Sequence, residues 1–482
     1  MRLTLPAVFT TVLFIGLFVL AVDVVKDPDF WWHLRTGQYI AESRSIPRSD
    51  PSFAFTTAGK QWITHEWLSE LLIWKLHEVS GLSGLSLFFA GLITAAFALM
   101  YLRSPGKPYV AGFATLLGAL AAIPVWNVRP QIFTLFLLSL LILILETYFR
   151  NPRRRLLIPL PFMMLLWVNL HGGFLLGLVV MAAYLLGKAL ELYAGLAGDD
   201  DLPLNYVRRD LVWLVAVLLL CLALVGVHPA GYRILIYPLA TLSSPAMQTY
   251  LTEWYSPNFH ETYMLPLAVL LLGVTALGLF VRRRFGFTVI GLLAMSALAT
   301  LRSVRNAPLF AVIAAPVLSS QLAAIVNIRP STEHPPRRVQ ALLAVLLAVI
   351  CLLAPLRILM RLDTQAQSER EEFPAGGVDW IAQNAPRGSL FNTYHWGGYV
   401  MWRLNPRYQV FIDGRADLHG DEMLTQYAKI YNTQSGWEQA LRGYGIHIAL
   451  VEPGSLIAQR LAESPEWRRV YSDETSVVYL RE

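Results

Sequence analysis

The sequence predicts a polytopic α-helical membrane protein with about eleven transmembrane helices and a small C-terminal extracytoplasmic α/β domain. Three observations predict it. Of the 482 residues, 55% are hydrophobic and only 15% are charged, against about 25% charged in soluble domains. Apolar runs of bilayer-spanning length recur up to residue 362. Charge is also segregated: residues 1–362 carry 28 basic and 17 acidic side chains, net +11, whereas residues 363–482 carry 11 and 16, net −5. The apolar content excludes disorder. Cys221 and Cys351 both lie in apolar runs, so neither a disulfide framework nor a Cys-x-x-Cys metal site is expected.

The first apolar run, residues 5–25, is followed by no small-residue cleavage motif and reads as a retained span. Residues 26–82 form a long loop with helical signals of its own. Asp29, after Pro28, can cap a helix running to about residue 42. A second helix over about 64–79 places Trp67, Leu68, Leu71, Leu72 and Leu76 for burial, and both suit helices lying in the membrane interface. Between them, Pro47-Arg48-Ser49-Asp50-Pro51 reads as turns. Further spans centre on 83–102, 108–125, 131–149, 155–170, 173–193, 210–227, 263–281, 286–301, 307–326 and 339–360. The 155–170 stretch carries Pro159 and Pro161.

The loops set the orientation. Alternate loops hold 15 basic residues: Arg103 and Lys107; Arg150, Arg153, Arg154 and Arg155; Lys188, Arg208 and Arg209; Arg282, Arg283 and Arg284; Arg329, Arg337 and Arg338. The intervening short loops hold only Arg129, Arg233, Arg302 and Arg305. By the positive-inside rule the first set is cytoplasmic. The N-terminus is then cytoplasmic, and an odd number of spans puts residues 363–482 outside. Most of the basic excess is therefore topological and calls for no nucleic acid.

Plain basic clusters and the run Asp199-Asp200-Asp201 mark the inner loops. The outer loops gather polar and aromatic groups: residues 26–33, Thr64-His65-Glu66-Trp67, Trp126 to Gln131, Asn169-Leu170-His171-Gly172-Gly173, His228-Pro229, Glu253-Trp254 and Arg302 to Asn306. Interfacial aromatic belts explain any one such group; a shared outward cavity explains all of them together. Asp27 and Asp29 stand where the chain leaves the first span. A carboxylate there either acts as a general base or ion ligand, or serves as a helix cap and solvated loop residue. His65 and Glu66, if helical, point about 100° apart and do not form a zincin-type pair. Arginine at an outer span end requires solvation, a paired acid or an anion. Arg129, Arg302 and Arg305 therefore either pair with Asp27, Asp29, Glu66 or Glu253, or bind a lipid phosphate through the bidentate geometry that guanidinium favours.

Residues 363–482 read as helices at 376–384, 397–404, 422–431, 437–444 and 455–464, with strands at 389–392, 409–413, 446–451, 469–471 and 476–480. Two clusters of aromatic, Asp, Arg and Gly residues, 392–399 and 410–417, suit ligand-binding loops. Alternatively, Asp413 and Arg415 form a structural ion pair.

One long first span, an Asp opening a large outer loop, two helices in that loop and many later spans resemble the GT-C superfamily of polyprenyl-phosphate-sugar-dependent membrane glycosyltransferases. The segments Asp29-x-x-Trp32-His33-Leu34, Asp50-Pro51, Trp62-x-x-His65-Glu66-Trp67-Leu68, Arg129-Pro130-Gln131, Trp167-x-Asn169-Leu170-His171-Gly172-Gly173, His228-Pro229-x-Gly231, Glu253-Trp254 and Arg305-Asn306-x-Pro308 resemble a bacterial branch of it. The resemblance implies a multi-pass protein of the bacterial cytoplasmic (inner) membrane. It would transfer a sugar from a polyprenyl-phosphate donor to a glycan, lipid or protein acceptor outside, with anomeric inversion. It implies Asp29 as the base, with Asp27 second, and Arg129, Arg302 and Arg305 on the donor phosphate; His33, His65, Glu66, Asn169, His171 and Glu253 complete the substrate site. Some members use a divalent cation, Mg or Mn. Only Asp27, Asp29, Glu66 and Glu253 are available for one here, and no metal ligands are assigned. Trp31-Trp32-His33 departs from the Glu-x-x-Tyr-type pattern of the arabinose- and mannose-transferring branches. The competing readings are a transporter or flippase for a lipid-linked or anionic substrate, and a scaffold; a transporter calls for charges within spans and an internal repeat.

Overall fold

The computed structural model describes residues 4–195, 204–281, 285–326 and 335–482, without the side chains of residues 204–207. Arg282, Arg283, Arg284, Arg329 and the Asp199-Asp200-Asp201 run lie outside the described residues. Each of the eleven apolar stretches is helical: Leu5–Ala21, Trp67–Arg103, Tyr109–Ala122, Gln131–Arg150, Pro159–Leu170, Phe174–Tyr193, Leu204–Val225, Leu265–Phe280, Phe287–Arg302, Ala307–Ile325 and Arg337–Asp363. Among the described residues, six helical segments are long and apolar enough to cross a membrane. Pro159 and Pro161 do not break their helix. They occupy its first turn, where no intrahelical N–H is required.

The 26–82 loop and the C-terminal region sit at the same end of the helix bundle. The Gln365 side chain bonds both polar groups of Val25, accepting from its N–H at 2.8 Å and donating to its C=O at 3.0 Å. Arg361 pairs with Asp23 beside it. The exit of the first helix is thereby tied to the exit of the last.

The first loop helix, Phe30–Ser43, forms as its pattern predicts, but it is not an interfacial helix with a lipid-facing stripe. Phe30, Trp31, Trp32, His33, Leu34, Thr36, Gly37 and Ile40 are all buried. The Trp67–Arg103 helix covers one side, and the helix Gly397–Leu404 covers the other. Trp31 packs edge-on against Tyr399 and Phe373, with ring centres 5.1 and 5.6 Å away. The pattern of this helix could not reveal that its second apolar face was destined for the C-terminal region. The second loop helix and the next span run as one helix, Trp67–Arg103, interrupted at Gly81, whose φ of +63° suits glycine.

The C-terminal region carries a four-stranded sheet of β1 (Ser389–Asn392), β2 (Ile446–Val451), β3 (Trp467–Ser472) and β4 (Val477–Arg481) in the order β1-β2-β4-β3. β1 and β2 are parallel; the other pairings are antiparallel. Residues 409–413, expected as a strand, are irregular. Val410 bridges Ala54 of the 26–82 loop, donating to the Phe53 carbonyl at 3.0 Å and accepting from the Phe55 N–H at 3.2 Å. Asn392 takes up the neighbouring polar groups of Phe411 and Ile412. The extended pattern was real, but its partners were loop residues more than 350 positions earlier.

A buried ion cluster seals this junction. Arg415 donates to both Asp413 oxygens at 2.7 and 2.8 Å and to Asp50 of the 26–82 loop at 2.7 Å. All three side chains are fully buried. The guanidinium also lies over the Trp62 and Phe53 rings at 4.8 and 5.3 Å. Burial opposes ionisation of Asp413, but Arg415 and then His419 outweigh it and hold the carboxyl far below the usual carboxylate range. Removing one member of such a cluster strands the others without water. Arg415→Ala should therefore cost about 3–5 kcal/mol, read as a drop in the thermal unfolding midpoint of the detergent-purified protein. A change in the range of an exposed pair, below about 1 kcal/mol, would show that the junction does not depend on it.

Candidate active site

The sequence-selected residues come together as two adjoining clusters at this end of the bundle. The first is centred on Arg129, in the turn before the Gln131–Arg150 helix. Its terminal nitrogens lie 2.7 Å from Asp29, 3.3 Å from Glu253 and 3.6 Å from Asp27. Asp27 is fixed from two further sides, accepting from the Asn127 side chain at 2.6 Å and from the Asp29 N–H at 2.9 Å. Glu253 is shared with Arg305 at 3.5 Å, and the Arg305 guanidinium lies 4.8 Å from the centre of the Trp254 ring. Asp29 precedes the Phe30–Ser43 helix, but its side chain makes no cap hydrogen bond. The carboxylate is turned to Arg129 instead, and 21% of its side chain remains open.

Gly414, one residue from the Arg415 cluster, presses its backbone against the Asp29 carboxylate and the Trp32 indole, and a Cβ there would collide with both. The clamp and the first cluster are thus neighbours. Burial raises the Asp29 carboxyl. Arg129 opposes the rise, Asp27 and Glu253 add to it, and the result is about 7. Asp27 is likewise raised by burial. Glu253 moves the other way, because Arg305 and Arg129 outweigh its burial. Three carboxylates around two guanidiniums cannot all ionise equally well: Asp27 and Asp29 rise while Glu253 falls.

The second cluster is centred on Glu66. His65 and His171 approach one of its oxygens with Nε2 at 3.2 and 3.3 Å, and His33 Nε2 approaches the other at 3.6 Å. His65 and Glu66 do not diverge as adjacent helical residues would. The helix begins only at Trp67, and both sit in the preceding turn. The tautomer of His171 follows from its partners. Its Nδ1 accepts from the Gly173 N–H at 2.9 Å and lies 2.7 Å from the Thr134 hydroxyl, so the ring proton is on Nε2 and points at Glu66. Burial works against the Glu66 charge, but His65, His171 and His33 together hold it well below the usual carboxylate range. Burial lowers His33 to about 3 and His171 to about 4. His65 is raised: burial alone would lower it, and Glu66 outweighs that.

Two sequence-selected residues stand apart. Asn169 spends both ends of its amide internally, accepting from the Trp67 indole and donating to the Leu165 carbonyl, each at 2.8 Å. Its place is to tie two helices. Arg302 is exposed and joins no ion pair among the described residues. The chain turns extended at Ser303, so Ser303 and Arg305 reach Glu253 while Arg302 stays on the end of its helix.

A cavity of about 660 Å³ opens beside the second cluster, walled by Trp62, Thr64, His228, Arg233, Tyr237 and Asp417. The His65 ring stacks on Tyr237 with centres 4.0 Å apart. Neither Asp29 nor Arg129 lines this cavity. Sequence reading missed Tyr237 as a wall residue, whereas Asp417 lies at the end of the 410–417 segment expected to suit a ligand-binding loop.

Because His33 stays neutral in the fold to about 3, while an unfolded imidazole protonates near 6.5, its contribution is intact above 6.5 and is lost as pH falls below that. Relative to His33→Gln, the wild type should lose roughly 2 kcal/mol between about pH 7 and about pH 5, read from paired thermal melts. A relative gain on acidification would mean that His33 is charged in the fold.

No protein-family model matches the chain, and no curated protein matches it. Its fold is shared with solved glycosyltransferases. The archaeal oligosaccharyltransferase AglB from Archaeoglobus fulgidus, in complex with an inhibitory peptide and a dolichol-phosphate, aligns with a TM-score of 0.59 at 11% identity, over 99% of this chain and 74% of that one. An oligosaccharyltransferase of Archaeoglobus fulgidus in complex with Zn and sulfate aligns at 0.54 and 12%, over 98% and 73%. Arabinofuranosyltransferase AftD from Mycobacteria aligns at 0.53 and 17%, over 98% of this chain but 39% of its own, so the present chain spans about two fifths of that protein. The chain therefore has the fold of the GT-C glycosyltransferases.

Proposed function

We propose that this chain is a membrane glycosyltransferase that moves a sugar from a polyprenyl-phosphate donor to an extracytoplasmic acceptor, with inversion and with Asp29 as the base. In this reading all eleven apolar helices cross the bacterial inner membrane, the N-terminus is cytoplasmic, and residues 363–482 form an outer domain. The observation that carries it is the contact of Asp29 with Arg129 at 2.7 Å in a partly open site, with a proton affinity near neutrality. A base poised near working pH balances availability against strength. The dolichol-phosphate in the archaeal complex is chemically of the class of the lipid phosphate that leaves in the reaction proposed here.

At rest, Arg129 is neutralised by three carboxylates. An arriving lipid phosphate competes for the guanidinium, and Asp29 is then released toward the acceptor. The acceptor oxygen attacks the anomeric carbon from the face opposite the phosphate, and its proton passes to Asp29. The anomeric C–O bond to phosphate breaks, and the bonding pair leaves with the polyprenyl phosphate. Arg129 and Arg305 take up that charge as positioned donors. Asp27 and Glu253 hold the two arginines in place. The Glu66 cluster braces the floor of the site through His33, His65 and His171, and the cavity beside His65 and Tyr237 offers the acceptor its space. Arg302 and Asn169 have no part in this scheme, since one is exposed and pairs with none of the site's acids and the other is internally saturated.

Asp29→Asn should lower transfer by about 10²–10⁴-fold, measured with purified protein and a labelled polyprenyl-phosphate sugar, or by mass spectrometry of envelope glycans in a complemented deletion strain. The pH profile of kcat/KM should rise through about 7, because Asp29 must shed its proton before it can accept another. Full activity in Asp29→Asn, or a profile flat through neutrality, would remove Asp29 from this role.

A further inference from the structure

The GT-C resemblance brings with it the question of a divalent cation, and the acidic side chains here do not fit one as they stand. We propose that the Arg129 guanidinium permanently occupies the cation position of this site, so that the reaction runs on arginine in place of a metal. Four carboxylates bear on the question: Asp27, Asp29, Glu253 and Glu66. Three of them converge on one point, and that point is filled by the guanidinium, at 3.6, 2.7 and 3.3 Å. Magnesium requires oxygens at about 2.0–2.1 Å from a shared centre. Carboxylates spaced around a planar group of N–H donors are held farther out than that. Arg129 cannot vacate by losing its proton, since guanidinium stays charged in proteins, and the surrounding acids outweigh burial to hold its proton more firmly still. A second cation entering beside it would meet Arg129 and, across Glu253, Arg305.

The fourth carboxylate is closed for a different reason. Glu66 is approached by three imidazoles, an arrangement that on spacing alone suggests a metal site. His171 Nε2 bears the proton, because its Nδ1 accepts from the Gly173 amide, so it donates to Glu66 and has no lone pair for a metal. Metal-bound histidines show the reverse, with the far nitrogen donating outward. Among the described residues, no three histidine, cysteine or acidic side chains are arranged to hold an ion. The ligand to which Arg129 is matched is instead an anion of the phosphate-ester class, which replaces the carboxylates it now holds; this last step rests on the proposed function.

The test is a Mn²⁺ titration of the full-length, detergent-purified protein, followed by the room-temperature EPR signal of free Mn²⁺. The wild type should leave the signal at its protein-free intensity. Arg129→Gln should remove signal in a saturable way that excess Mg²⁺ reverses. Asp27→Asn together with Asp29→Asn in the Arg129→Gln background should abolish that gain. Saturable loss of signal in the wild type, itself abolished by Asp29→Asn, would overturn the proposal. So would a folded Arg129→Gln protein that gains no site, since something other than Arg129 would then exclude the ion. If Arg129→Gln does not purify, Arg129→Met takes its place in the same titration, with the same expected gain and the same overturning result. None of these readings uses transferase activity, so failure of the proposed function would leave them standing. Where activity is measurable, EDTA should leave the rate unchanged, and its abolition by EDTA with restoration by Mn²⁺ would count against the proposal.

Discussion

The arrangement depends on a buried guanidinium, that of Arg415. It holds Asp413 on its own loop and Asp50 on the 26–82 loop, and all three side chains are fully buried. A buried ion cluster of this kind is weak evidence for net stability, because desolvation opposes the Coulomb gain. Its stronger effect is on geometry. The fork of N–H donors satisfies both acids only in one relative placement of the two segments. That placement lays Val410 alongside Ala54, sets Tyr399 and Phe373 against Trp31, and brings the bare backbone of Gly414 to Asp29. The C-terminal region thus forms part of the wall of the site.

Within that frame, two carboxyls in adjoining clusters, Asp29 and Glu66, are driven in opposite directions. Asp29 is buried among other acids and rises to about 7. Glu66 is buried among histidines and stays ionised. Neighbouring carboxyls whose environments push their proton affinities apart are the usual mark of divided roles, one group exchanging protons and the other supplying fixed charge. Burial alone would raise both; the difference lies in which charges surround each. Arg129 and Arg305 temper the first cluster without emptying it of its proton, and the imidazoles of the second leave Glu66 nothing to gain from one.

Much of the first cluster was legible. Arginine on the side of the protein where the positive-inside rule does not place it needs an acid or an anion, and Arg129 and Arg305 were singled out on that ground. Both have the acid. Arg302 was singled out by the same logic and stands apart, because a one-residue change of backbone direction at Ser303 decides which of two nearby arginines turns inward. His65 and Glu66 were read as diverging because a helix was assumed to begin before them. The start at Trp67 reverses that, and helix boundaries are where pattern reading is weakest. Asn169 was chosen for its polarity at a span end, and its amide is saturated by Trp67 and Leu165.

What the sequence determined by itself was everything that follows from local periodicity and from charge sorted along the chain. The eleven apolar stretches are helical, the Phe30–Ser43 helix forms, and the bounds of β1, β2 and the Gly397–Leu404 helix were read to the residue. Hydrophobic runs and turn residues act over a few positions, so one dimension suffices to read them. Only the tertiary structure decided what a side chain faces across hundreds of residues. It paired residues 409–413 with a loop and not a sheet, buried a helix that looked interfacial, and placed a guanidinium at the point where three carboxylates meet. Such contacts are set by packing and by the need to pair every buried charge, and neither constraint leaves a periodic trace in the chain.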